Sequence, residues 1–86
     1  MKFTGKMYAV YSGNLNRLGW EYDNETKQGV LRAEFRNKIQ YDYFPVSKEK
    51  FSEVFQEESK GTWFNLEIKK NPSIHYEKVN DEDKSE

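Results

Sequence analysis

The sequence predicts an α+β domain: an antiparallel β-meander of three to four strands, two helices packed on one face, and a short final strand. Three observations carry this reading. Apolar and polar residues alternate through the first half of the chain, the period of half-buried strands. After Pro45 the apolar spacing changes to i, i+3, i+4, the period of a helix face. Fourteen of the thirty apolar residues are Phe, Tyr or Trp. Each buried ring removes about 150–250 Å² from water, so a chain of 86 residues that is only 35% hydrophobic can still build a core.

Met7 to Tyr11 forms the first expected strand, ended by Ser12-Gly13-Asn14. Leu18, Trp20 and Tyr22 alternate with Gly19, Glu21 and Asp23 in the second. The polar run Asp23 to Gly29 reads as a loop closed by its glycine. Leu31, Ala33 and Phe35 then alternate with Arg32, Glu34 and Arg36, and Ile39, Tyr41 and Tyr43 with Gln40 and Asp42.

Parity fixes the hairpin between these last two strands. A two-residue Asn37-Lys38 loop sets Arg36 opposite Ile39 and puts a charge on the apolar face. A three-residue loop, Arg36 to Lys38, pairs Phe35 with Ile39, Ala33 with Tyr41 and Leu31 with Tyr43, all apolar or aromatic. Arg32, Glu34, Gln40 and Asp42 are left as an ordinary solvated outer face.

Ser47 is the N-cap of the first helix, with Val46 and Phe51 at the positions of a hydrophobic staple and Phe51, Val54 and Phe55 facing inward. Ser59 starts the second, whose buried side carries Trp63, Phe64 and Ile68. Lys69 and Lys70 suit its last turn, Asn71 a left-handed cap, and Pro72 blocks continuation. Ile74 to Lys78 is the final strand. The expected domain spans residues 1–79.

Four acids stand against one Lys from Val79 onward, so residues 80–86 read as a disordered acidic tail. The remaining chain carries a weak excess of basic side chains, within a total net charge of −1. Cysteine is absent, which removes disulfides, thiolate metal sites and cysteine nucleophiles. The longest apolar run, Met7 to Tyr11, is five residues, against about 20 for a membrane span. The opening residues lack the pattern of a secretory signal, so a cytoplasmic protein without membrane contact is expected. The single histidine, His75, has no partner set for catalysis or metal binding, and no phosphate loop or dinucleotide fingerprint occurs. No catalytic, cofactor or metal residue is assigned, and an enzyme is not expected.

The run Leu31-Arg32-Ala33-Glu34-Phe35, then Tyr41-Asp42-Tyr43, then Ser59-Lys60-Gly61 with Phe64-Asn65 and Ile68, then Tyr76-Glu77-Lys78-Val79, resembles the KTSC domain. That family occurs at the end of some lysyl-tRNA synthetases and as free-standing small bacterial and phage proteins. The resemblance covers residues 12–79. The family usually opens with a Ser-Ser pair, where this chain has Ser12-Gly13. The synthetase context implies RNA binding, by analogy of setting.

The residues themselves supply three sets of candidate contacts for nucleic acid. Ser59 caps a helix whose next amides point outward, Gly61 allows close approach, and Lys60 adds a mobile charge, so Ser59, Lys60 and Gly61 together are a phosphate-binding candidate. Arg17, Arg36 and Lys38 are secondary phosphate contacts. Tyr41 and Tyr43 are a stacking pair if exposed, and core if parity holds. The expected function is a small non-enzymatic module that binds RNA or another single strand. The alternative is a protein–protein interaction module, such as a phage-borne modulator of a host protein.

Overall fold

The computed structural model describes residues 2–85. Five antiparallel strands form one sheet in sequential order: β1 (Met7–Ser12), β2 (Leu15–Asp23), β3 (Gln28–Phe35), β4 (Gln40–Phe44) and β5 (His75–Lys78). Between β4 and β5 lie two helical stretches. Helix α1 (Lys48–Ser52) tightens into a 3₁₀ turn at Glu53–Gln56, and α2 (Lys60–Trp63) widens into a π-helix at Phe64–Lys69. The fold is therefore α+β, with the expected meander and a short closing strand.

The β3–β4 hairpin has the register that parity demands. Leu31 faces Tyr43 and Ala33 faces Tyr41. The amide of Phe35 donates to the Ile39 carbonyl at 3.0 Å and that of Lys38 to the Phe35 carbonyl at 2.9 Å, with Lys38 at φ +71°. Leu18, Leu31, Ala33 and Tyr43 pack on this inner face against Phe51, Val54, Trp63, Phe64 and Ile68 from the helices.

Local expectations fail where the helical period changes. Phe55 was expected inward, but it is half exposed, because three residues per turn in the 3₁₀ segment rotate it off the core face. Its ring instead meets Tyr8 edge-on at 5.1 Å. Asn71 does not take the left-handed conformation. Its Oδ1 accepts from the Ser73 amide at 2.9 Å, an Asx turn that ends the helix by a side chain. The loop read as Asp23 to Gly29 is shorter, since Gln28 and Gly29 already pair with Asp23 and Tyr22. Gly29 is a packing residue: a Cβ there would strike the Val46 carbonyl, which accepts from Trp20 Nε1 at 2.7 Å.

The outer face departs furthest from expectation. Arg32 and Gln40 are 1% exposed and Glu34 is 5% exposed. Their burial is tolerated because every polar group finds a partner. Arg32 forks onto Asp42 at 2.8 and 3.0 Å, and Arg17 onto Glu34 at 2.9 and 2.8 Å. The cover comes from both flanks. The Phe3 ring lies 4.6 Å from the Arg32 guanidinium. Residues 80–85, expected as a solvated tail, lie against this face through Asp83 and Ser85; Glu86 lies outside the described residues. Asp42 and Glu34, the cross-strand neighbours, take part of each guanidinium, and the segment adds the Asp83 and Ser85 carbonyls as further acceptors.

Candidate functional site

Beside the second helix, whose Phe64 packs on Phe35 and Tyr43, the β4–β5 edge of the inner face stays open. Tyr41 and Tyr43 alternate along β4, and Tyr76 of β5 stands directly across from Tyr43. Phe35 closes the row at the end of β3. The rings contact one another in sequence: Phe35 to Tyr41 at 5.9 Å, Tyr41 to Tyr76 at 6.1 Å and Tyr43 to Tyr76 at 6.0 Å between centroids. Together with Ile39 they floor a groove of about 720 Å³.

Exposure rises across the groove. Tyr43 is buried, Tyr41 half-buried and Tyr76 68% exposed. Parity therefore holds, and the tyrosine pair is divided between core and groove. Burial pushes the Tyr43 hydroxyl up to about 12, with Tyr41 and Tyr76 adding to the shift, so it stays a neutral donor.

Two cations stand at the rim, Arg36 and Lys69. Arg36 is held by its Nε, which donates to the Gly13 carbonyl at 2.6 Å. Lys69 projects from the last turn of the second helix. The residues lining the groove include no carboxylate, although the whole chain carries a net charge of −1.

Asn14, Phe35 and Lys69 also line a second cleft of about 200 Å³ that leads to Ser59 and Gly61. The helix start there is not the open anion site expected from its sequence. The Gly61 amide donates to Ser12 Oγ at 2.8 Å and the Thr62 amide to Ser59 Oγ at 3.3 Å. Lys60 Nζ turns back onto the Glu57 carbonyl at 3.1 Å. Gly61 is needed chiefly for packing, since a Cβ would come within 3.0 Å of Ser12 Oγ. Ser59-Lys60-Gly61 is thus a joint between the second helix and the β1–β2 turn.

The remaining expected contacts separate. Arg36, Tyr41 and Tyr43 come together in the groove. Arg17 lies on the outer face bound to Glu34, and Lys38 borders that same face. Six groove residues were not read as site residues: Asn14, Phe35, Asn37, Ile39, Lys69 and Tyr76. Ile74, Tyr76 and Lys78 do alternate in the sequence, but only the pairing of β5 with β4 shows which face Tyr76 joins. His75 is exposed beside Phe44. Among the described residues no cluster of His, Asp or Glu could hold a metal, and no helix is long and apolar enough to cross a membrane.

No curated protein matches the chain. The model of the KTSC domain matches residues 11–71, from the end of β1 through the second helix. The match stops short of β5, so Tyr76 and the Tyr76 to Val79 stretch lie beyond it. It takes in the β2–β3–β4 meander, the Tyr-x-Tyr strand and the Ser59 helix start, well over half of the chain, and the chain belongs to the KTSC domain family.

Proposed function

We propose that this protein is a small non-enzymatic binding module that holds single-stranded nucleic acid in the aromatic groove. The observation that carries this reading is the pairing of a ring-floored groove with Arg36 and Lys69 and with no lining carboxylate. Aromatic faces stack on any base, each worth about 1–3 kcal/mol, while cations at the rim meet the backbone phosphates. Single strands suit the groove because its rings can reach only bases that are free of a duplex. Tyr76 and Tyr41 are the stacking residues, with Tyr43 as the floor beneath them. Arg36 and Lys69 take the phosphates, and the cleft toward Ser59 continues the path of the strand.

Fluorescence anisotropy with short labelled RNA and DNA single strands at about 50 mM salt tests this. Tyr76→Ala is expected to weaken binding by roughly five- to hundredfold. Lys69→Ala should lower the salt slope by about 0.7 and leave sequence preference unchanged. Lys60→Ala and Lys27→Ala serve as controls and should do little. If the wild type binds neither polymer at tens of micromolar, the reading fails and a protein partner takes its place.

A further inference from the structure

The groove leaves unexplained why the opposite face of the sheet is polar, buried and covered by residues 80–85. The contacts there have the form of peptide recognition. Gln40 addresses both hydrogen-bonding groups of one residue: its Oε1 accepts from the Ser85 amide at 2.8 Å, and its Nε2 donates to the Ser85 carbonyl at 2.7 Å. Arg17 Nη2 donates to that same carbonyl at 3.2 Å. Arg32 Nη1 donates to the Asp83 carbonyl at 2.8 Å and to Ser85 Oγ at 3.0 Å.

These donors are fixed from below before any peptide arrives. Asp42 holds the Arg32 fork, and Glu34 holds both Arg17 and the Gln40 amide. The 1% exposure of Arg32 and Gln40 is reached with Phe3 and residues 83–85 in place, so it is the carboxylates of Asp42 and Glu34 that hold their geometry. A preorganised acceptor of this kind loses little on binding. Of the five contacts described here between the face and residues 83–85, four go to backbone groups and one to a side chain, the Ser85 hydroxyl. The side chains of Asp81, Glu82 and Asp83 are exposed. Such a face reads the backbone of a short segment that leaves a 3₁₀ turn at Asp81–Asp83 and runs extended through Lys84, with a serine at one position.

We propose that the outer face is a peptide-binding surface, filled in cis by residues 83–85 and able to take a serine-bearing segment of a partner protein, entering through the same kind of turn, in their place. The cis segment is an internal competitor. Tethered next to the site, it acts at an effective concentration of roughly millimolar, which a partner must overcome.

The full chain carrying Ser85→Pro tests this, because proline removes the amide that Gln40 accepts from and leaves the receiving face intact. The probe is a labelled peptide with the sequence of residues 80–86. The Ser85→Pro chain should bind it at least tenfold more tightly than the wild type. A peptide with alanine in place of the serine should bind the same chain several-fold more weakly. Gln40→Leu added to Ser85→Pro should abolish binding. Equal binding to both chains, no binding to Ser85→Pro at millimolar peptide, or indifference to the peptide serine would each overturn the proposal. Since the groove lies on the other face, nucleic-acid binding by Ser85→Pro should equal that of the wild type, which keeps the two readings separable.

Discussion

Glu34 shows how one side chain comes to hold a buried face together. Its carboxylate accepts from Arg17 and from Gln40, and these bonds, against the cost of burial, bring it from 4.5 down to about 2. A carboxylate favoured in its charged form by the folded state stabilises that state above its ordinary pKa. The contribution then fades as the pH falls from about 4.5 to about 2. Screening at the partly open Arg17 side limits the effect to about 2 kcal/mol. Urea midpoints should therefore fall across that acid window in the wild type. In Glu34→Gln the midpoint should start lower at neutral pH and change less through the window. Parity correctly put Glu34 opposite to the core, but it could not give burial. Alternation reports which face a residue takes, and says nothing of a segment fifty residues away that covers it.

At the level of elements, the meander was legible and the helices only partly so. The strands of the meander were legible because period two marks which face each residue takes, although β2 begins at Leu15, ahead of the expected Leu18. The hairpin followed from the same rule, since one charge on the apolar side is decisive. The helix starts at Ser47 and Ser59 were also readable, as capping is local, and both hydroxyls accept the expected amides. What followed them was not. The apolar spacing gave no sign of the 3₁₀ turn that exposes Phe55 or of the π-helix that carries Lys69 to the groove rim. Gly29 marks another limit: read as a loop closer, it is a contact point between β3 and the segment before α1. Gly29→Ala forces a methyl group into the Val46 carbonyl and should cost about 3 kcal/mol or more, seen as a lowered urea midpoint with unchanged slope. Gly13, at φ +59° in an open turn, tests a different mechanism and should suffer only from backbone strain on substitution.

Taken whole, the molecule is a single sheet with two unlike faces. The inner face mixes aliphatic and aromatic residues under the helices and is aromatic at the open β4–β5 edge. The outer face is ionic and sealed by the chain's own flanks. Of the candidate site, Tyr41 and Tyr43 were legible because they lie on β4 with a readable register, whereas Arg36, in the hairpin loop after β3, was read only as a secondary contact. Lys69 and Tyr76 were not legible, since their places depend on how the helices return the chain to β4. The central claim is that single strands bind at the rings of the inner face. Its most direct test is nuclear magnetic resonance of the labelled full chain, titrated with a short RNA or DNA single strand. The account predicts that shifts concentrate on Phe35, Arg36, Tyr41, Lys69 and Tyr76, and leave Gln40 and Ser85 unmoved. Shifts centred on the outer face or on the Lys60 helix start, with the groove silent, would contradict it.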